Sequence, residues 1–243
     1  MMKMISSILA VVVIVIFGSI MFVRNYNKSN SNITQVSFNK KQYSLTDPSS
    51  IWVIVNKQHP LSPINYVPTG LVTPNIPLRV PDNETMQVRA VTATALEQMF
   101  SAAQTDNIKL MLASGYRSYT YQTSLYNGYV QTQGPTGADQ QSARPGYSEH
   151  QTDFAADLEH VDQNCELEQC FGDTSEGKWV AANAYKYGFI VRYTTGNQSI
   201  TGYEAEPWHV RYVGVALATE LHNTHIQQTL EQFFGVNGGT VYK

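Results

Sequence analysis

The sequence is poor in charged residues. Asp, Glu, Lys and Arg make up 14% of the 243 residues, well below the usual quarter, and the net charge is −3. So little positive charge offers no basic surface for phosphate backbones, and nucleic acid is therefore not an expected partner. Hydrophobic residues at 42% and aromatics at 11% are ordinary for a globular protein, so the chain can bury the core of one sizeable domain.

Cysteine is also scarce, because only Cys165 and Cys170 occur, in the segment CELEQC. Their spacing suits a small disulfide loop, which would place the domain outside the cytoplasm. The alternative is a pair of free thiols. A zinc knuckle would need further ligands at matching spacing, which the neighbouring sequence does not provide. The sequence therefore predicts a disulfide.

One long hydrophobic run stands near the amino terminus. Residues 5–23 carry no charge and form a stretch long enough to span the hydrocarbon of a membrane. The run is longer than a typical signal-peptide core and no clean small-x-small cleavage site follows, which favours an uncleaved anchor over a cleaved secretion signal. We expect a single-pass membrane protein with an extracytoplasmic domain, although positive charges flank both ends of the run.

The remaining chain divides into a tether and a domain. Residues 25–46 are polar and rich in Asn and Ser, which is typical of a linker between the anchor at 1–24 and a folded domain at 47–243. The domain opens with IWVIVNKQHPLSPINYVP, residues 51–68. Its first residues predict a buried strand, and its prolines predict an extended segment on the domain surface.

Helical and strand patterns then mix without regular alternation. Helices are predicted at residues 85–105, 118–132 with Ser118 as the cap, 175–188 and 215–234. Strands are predicted at residues 108–114, 154–158, 189–193 and 208–214. This order predicts an α+β domain with a small, mainly antiparallel sheet and flanking helices.

The segment SEHQTDFAAD, residues 148–157, carries candidate metal ligands. His150 and Asp157 suit a turn that brings two strand ends together, and a catalytic zinc site needs three such ligands and one open position. His209 in EAEPWHVRY offers the third ligand. Glu206 precedes it by three residues, and because Pro207 disfavours a regular central strand, we expect the carboxylate in a loop where a general base can stand.

Other ionisable residues of this region are interpreted as solvated surface groups, because an isolated acid or histidine is more often a surface residue than a ligand. These residues are Glu149, Glu159, His160 and Asp162.

Three motifs in this order resemble those of a known family: SGYRSYTYQ at 114–122, ARPGYSEHQTDFAAD at 143–157 and EPWHVRYVG at 206–214. Together they resemble the LAS zinc metallopeptidases, and most closely their VanY-type D-alanyl-D-alanine carboxypeptidases. The resemblance covers roughly residues 51–234. It implies a zinc cofactor, and the residues that match its pattern are the ligands His150, Asp157 and His209 and the catalytic base Glu206.

The resemblance also implies substrate-binding residues, which are Arg117, Gln122 and Ser148. Arg117 could stabilise the oxyanion of the tetrahedral intermediate or grip the terminal carboxylate of the peptide. One position departs from the family pattern, because Asp153 replaces a glycine where the backbone can need a positive φ. Asp tolerates that conformation better than most residues. We expect tolerance rather than a distorted loop or a carboxylate that intrudes on the metal.

The implied activity is removal of the C-terminal D-alanine from a peptidoglycan stem peptide, after either a D- or an L-residue. A peptidoglycan endopeptidase is the enzymatic alternative, and a catalytically weak domain that binds wall peptides is the alternative from another class. We expect a monomer.

Overall fold

The computed structural model describes residues 38–224 and 228–243. A compact unit spans Lys40–Lys243. The anchor predicted at 1–24 lies outside the described residues, as does the first part of the predicted linker, up to residue 37. Within the described ranges, no helix combines the length and hydropathy that a membrane span requires.

Short strands and helices alternate irregularly along the unit. The strands are β1 (Leu71–Val72), β2 (Val88–Arg89), β3 (Leu110–Ser114), β4 (Ala155–His160), β5 (Phe189–Tyr193) and β6 (Glu206–Tyr212). The α-helices are α1 (Ala90–Thr105), α2 (Tyr119–Gln141), α3 (Ser175–Asn183), α4 (Gln198–Thr201), α5 (Val215–Asn223) and α6 (Leu230–Phe234). Single 3-10 turns lie at Glu84–Met86, Glu149–Thr152, Gln169–Asp173 and Ala184–Tyr187.

The main sheet has four antiparallel strands in the order β3-β4-β6-β5, and β1 and β2 form a separate antiparallel pair. This confirms the predicted α+β fold with a small antiparallel sheet and flanking helices. The two central strands, β4 and β6, place Asp157 opposite His209. The fold therefore brings together two candidate ligands that are far apart in sequence.

The core lies between the sheet and α1. Leu96, Met99 and Ala103 recur on one face of α1 and are fully buried, as are Leu112 on β3 and Leu158 on β4. Their spacing of three and four residues is the pattern that predicted this helix. Burial of these side chains supplies the main driving force for folding, at about 25 cal/mol per Å² of apolar surface.

The predicted strand at the start of the domain is wrong. Residues 52–55 are buried, but the backbone forms only an isolated bridge between Asn56 and His59. Its backbone finds partners outside any sheet: the Ile54 amide donates to the Leu45 carbonyl at 3.0 Å, and Arg211 Nη2 donates to the Val53 carbonyl at 2.9 Å. The segment is therefore buried and extended without belonging to a sheet.

The boundaries of α1 and α2 differ from the prediction, and the helix predicted at 175–188 ends at Asn183. Helix α1 begins at Ala90 because Val88 and Arg89 pair with β1. Helix α2 begins after Ser118, whose hydroxyl accepts from the Tyr121 amide at 3.1 Å, and thus confirms the predicted cap. It runs nine residues beyond the predicted end, with a break at Gly134, whose φ of 72° is left-handed.

The single helix predicted at 215–234 is also wrong. Helix α5 ends at Asn223 and α6 begins at Leu230, where Thr229 and Gln232 form a reciprocal capping box. Thr229 Oγ1 accepts from the Gln232 amide at 3.2 Å, and Gln232 Oε1 accepts from the Thr229 amide at 3.0 Å. These side chains satisfy backbone donors that a continuous helix would have bonded itself, so a new helix starts here.

Candidate metal centre and catalytic cleft

The candidate ligands come from one short turn and the two central strands. His150 lies in the 3-10 turn Glu149–Thr152, Asp157 lies on β4, and His209 lies on β6. Ser148 caps the turn by accepting from the His150 amide at 3.3 Å. All three predicted ligands are buried, and they offer donor atoms within 4.8 Å of one another.

Asp153 ends that turn in the left-handed conformation that the sequence predicts, with φ of 63° and ψ of 13°. Its carboxylate does not intrude on the metal centre, because Oδ1 accepts from Arg89 Nε at 2.8 Å. Burial raises the pKa of Asp153 to about 7, and the Arg89 pair offsets this only in part. Asp therefore substitutes for the family glycine, and the turn still delivers His150 to the site.

The ring nitrogens of His150 have distinct partners. Its Nδ1 lies 2.6 Å from the Gly115 carbonyl oxygen, so Nδ1 carries the proton. Its Nε2 then faces Asp157 Oδ2 at 3.2 Å as an electron-pair donor. Gly115 is required at this approach, since a Cβ there would lie 2.5 Å from the Gln87 carbonyl oxygen.

The ring of His209 turns its other nitrogen toward Asp157: His150 uses Nε2, whereas His209 uses Nδ1. Its Nε2 lies 3.3 Å from Glu149 Oε2, and its Nδ1 lies 3.1 Å from Asp157 Oδ1. Nδ1 is therefore the atom of His209 that a metal at this site would meet.

The donor set fits zinc. Bonds of about 2.0–2.2 Å to imidazole and carboxylate place tetrahedral donors roughly 3.3 Å apart. Asp157 Oδ2 lies 3.2 Å from His150 Nε2, and Asp157 Oδ1 lies 3.1 Å from His209 Nδ1, so each imidazole has a carboxylate oxygen at about this distance. Two imidazoles, which are neutral when they bind a metal, and a carboxylate form the three-ligand set of catalytic zinc sites, which keep a fourth position for water.

The charges of the site are strongly coupled. Although burial disfavours its charged form, His150 and Arg117 hold the pKa of Asp157 well below its usual range. Arg117 Nη2 donates to Asp157 Oδ2, and Arg117 Nε donates to Ser114 Oγ at 3.0 Å. Burial lowers the pKa of His209, but its hydrogen bonds to Asp157 and Glu149 outweigh this and raise the pKa to about 9.

Glu206 is the first residue of β6, so the prediction that it lies in a loop is wrong. The ladder between β5 and β6 is irregular there, because the register shifts between Val191 and Tyr193. This irregularity accommodates Pro207, which has no amide proton to donate. Glu206 Oε2 lies 3.6 Å from His209 Nδ1, and burial raises the pKa of Glu206 to about 7.

A cleft of about 850 Å³ opens over these residues. Its lining includes the three candidate ligands together with Arg117, Ser148 and Glu206. Gln122 is instead fully buried, and its Nε2 donates to Ser142 Oγ at 3.0 Å and to the Ala143 carbonyl at 2.8 Å. Its Oε1 has no hydrogen-bond partner among the described residues. A substrate contact by Gln122 stays a prediction.

The interpretation of Glu149 and Glu159 as surface residues is wrong, since both side chains are fully buried. Glu149 is stabilised by Arg192 and Arg211, which hold its pKa well below its usual range although burial opposes this. A signal existed in the sequence, because both arginines stand inside predicted strands. Asp162 is exposed as predicted, and the His160 side chain is partly exposed.

The predicted disulfide is confirmed. Cys165 and Cys170 are bonded, with their Cα atoms 5.6 Å apart, and no free cysteine is present. Cys170 lines the cleft together with Leu167, Glu168 and Gln169. The disulfide loop thus forms part of the cleft wall.

The chain is similar in sequence to known carboxypeptidases. The family described as VanY, D-alanyl-D-alanine carboxypeptidase, matches residues 85–215. The putative carboxypeptidase YodJ of Bacillus subtilis (strain 168) is 38% identical over 218 residues, which cover 85% of this chain and 79% of the relative.

Two solved structures have similar folds. One is the LD-carboxypeptidase LdcB, whose structure reveals the basis of peptidoglycan recognition. It is 41% identical to this chain with a TM-score of 0.73, and the match covers 79% of this chain and 89% of LdcB. A mutant of the vancomycin-resistance D,D-pentapeptidase VanY in complex with Zn(II) is 28% identical with a TM-score of 0.61, over 74% of this chain and 97% of that one.

Proposed function

The chain belongs to the VanY family of D-alanyl-D-alanine carboxypeptidases, and we propose that it is a zinc-dependent enzyme that removes the C-terminal D-alanine from peptidoglycan stem peptides. The observation that carries this proposal is the convergence of His150, Asp157 and His209 with Glu206 in one cleft. The zinc complex of a similar fold supports the choice of metal, and the peptidoglycan recognition described for LdcB supports the choice of substrate.

His150 Nε2, Asp157 and His209 Nδ1 would hold the zinc ion. When bound, zinc lowers the pKa of a water ligand toward neutrality and polarises the scissile carbonyl. The remaining chemistry belongs to side chains of the chain itself.

Glu206 is placed to act as the general base and then as the general acid. Its carboxylate stands beside His209 in the cleft, and a base with a pKa near the working pH is the most effective. Glu206 takes a proton from the attacking water and returns it to the leaving amine of D-alanine. The same residue therefore serves both halves of the reaction.

Arg117 is better placed for the oxyanion than for the terminal carboxylate. Its Nε and Nη2 already donate to Ser114 and Asp157. These bonds hold the guanidinium group beside Asp157, and its remaining N–H groups are available to a substrate. Arg117 lies next to a ligand of the proposed zinc ion, which is where the oxyanion would form.

The length of the stem peptide that is cleaved distinguishes a D,D-carboxypeptidase from an L,D-carboxypeptidase. A D,D-carboxypeptidase shortens a stem that ends in D-alanyl-D-alanine, and an L,D-carboxypeptidase removes D-alanine that follows an L-residue. The structural relatives described above include both kinds of enzyme. We also propose that the domain acts outside the cytoplasm, anchored by residues 1–24, and the disulfide supports this location.

The test is incubation of the zinc-loaded protein with synthetic pentapeptide and tetrapeptide stems, followed by mass spectrometry of the products. Loss of one D-alanine from either stem is the expected result, and the preferred stem identifies the reaction. Stems with an amidated carboxyl terminus and a crosslinked dimer serve as controls. Cleavage of the crosslinked dimer alone would instead identify an endopeptidase, and no cleavage of any peptide would refute catalysis on stem peptides.

A further inference from the structure

A buried carboxylate stands behind His209, on the side away from the proposed zinc ion. Glu149 Oε2 lies 3.3 Å from His209 Nε2, and the Glu149 side chain is fully buried. A carboxylate at this distance accepts a proton only from the Nε2–H form of the ring. When the ring binds zinc it is neutral, and its lone pair then belongs to Nδ1, which faces Asp157 at 3.1 Å.

The other oxygen of Glu149 is held by two arginines. Arg192 Nε donates to Glu149 Oε1 at 2.8 Å, and Arg211 Nη1 donates to the same atom at 2.9 Å. Arg192 also donates twice to Glu231 of α6, at 3.0 and 2.6 Å. Asn56 Nδ2 donates to Glu231 Oε1 at 3.0 Å.

We propose that Glu149 is a positioning residue that fixes the tautomer of His209, and that Arg192 and Arg211 fix the orientation of Glu149. The inference rests on the proposed zinc site. The two oxygens of the Glu149 carboxylate have different partners. Oε1 accepts from the two guanidinium groups, so only Oε2 is available to His209. Groups that orient a ligating histidine in this way change metal affinity by about 10- to 100-fold.

Substitution Glu149→Gln reverses this hydrogen bond without changing the size of the side chain. The two arginines are donors only, so the amide oxygen of Gln must face them. The amide nitrogen then faces His209 Nε2, and a donor at that position favours the tautomer with its proton on Nδ1. That tautomer has no lone pair for zinc at the atom that faces Asp157.

Glu231→Gln is the matched control. It removes one negative charge from the same buried network, but Glu231 contacts Arg192 and Asn56 rather than His209. Glu149→Asp is the second variant, because it keeps the charge for the arginines while it withdraws the carboxylate from His209. A purely structural role of the network would make Glu231→Gln as harmful to zinc binding as Glu149→Gln.

The experiment measures the zinc dissociation constant by chelator competition, and uses NMR of isotope-labelled histidine to identify the protonated nitrogen of His209 in the zinc-loaded wild type. We expect the proton on Nε2, a zinc affinity lower by about 10- to 100-fold in Glu149→Gln and Glu149→Asp, and wild-type affinity in Glu231→Gln.

A proton on Nδ1 of the wild type would overturn the inference even if no variant folds. So would wild-type affinity in Glu149→Gln, or an equal loss in Glu231→Gln. Failure of the wild type to bind zinc would instead overturn the proposed function, and the inference with it.

Discussion

Glu206 and His209 lie three positions apart on the same strand, yet they have different proposed roles. Glu206→Gln keeps the size of the side chain but cannot accept a proton, so we expect turnover to fall by at least ~10²-fold while zinc still binds. His209→Ala removes a ligand, so we expect loss of both zinc and activity. Zinc stoichiometry and hydrolysis of a D-alanine-terminated peptide, measured side by side, check both statements. Near-normal turnover of Glu206→Gln would refute its role as the base.

Asp153 makes stability depend on pH. Its pKa is about 7 in the folded protein against 3.8 in a free side chain, so the folded state binds the proton more tightly. Stability should therefore fall as pH rises from about 4 to about 7, because the unfolded state binds fewer protons in that window. Asp153→Asn should remove this contribution, and Asn also tolerates a positive φ.

The measurement for Asp153 is urea unfolding of wild type and Asp153→Asn between pH 4 and pH 8. Asp82→Asn is the matched control, because Asp82 has a similar φ of 65° but is exposed to solvent. We expect the pH dependence of Asp82→Asn to match that of the wild type. Parallel curves for wild type and Asp153→Asn would show that Asp153 does not titrate in this window.

Among the elements, helix α6 is five residues long and depends on its cap. Thr229→Ala removes the hydroxyl that accepts from the Gln232 amide, and we expect a loss of about 0.5–2 kcal/mol in the free energy of unfolding. Thr94→Ala, at an exposed position inside α1, is the control and should have little effect. Chemical denaturation of both variants measures the difference, and equal stability of the two would contradict a structural role for the cap.

Elements with a strong local pattern could be predicted from the sequence, and elements fixed by distant partners could not. The face of Leu96, Met99 and Ala103 indicates α1 because every member repeats with the helical period. Residues 52–55 have the apolar composition of a strand, but their backbone bonds to a nearby loop and to the side chain of Arg211, which lies far along the chain. No local pattern reports such a partner.

The candidate site shows the same division. His150, Asp157 and His209 could be predicted because their spacing matches a motif, and the structure brings them together. The burial of Glu149 is not indicated by its own neighbours in the sequence, because it depends on two arginines, and the only signal is that these arginines stand inside predicted strands. An acid next to a predicted ligand looks like a surface residue until those partners are known.

At the scale of the whole molecule, the disulfide connects the structure to its proposed location. Cys165 and Cys170 are bonded, and their loop lines the cleft. In cells, we expect both cysteines to resist alkylation until a reductant is added, because an extracytoplasmic domain folds under oxidising conditions. Mass spectrometry of alkylated protein, with and without prior reduction, checks this. Alkylation of both thiols without reduction would contradict the proposed location.

Asp157 and His209 face each other across hydrogen-bonded central strands. Their separation is therefore set by the spacing of a sheet whose core is built from α1, β3 and β4, and not by an ion. In a zinc finger the metal organises the polypeptide, and withdrawal of the metal unfolds it. Here the sheet holds the proposed ligands at this spacing, so we expect the protein to stay folded when the proposed zinc ion is withdrawn and to regain its zinc when the ion is supplied again.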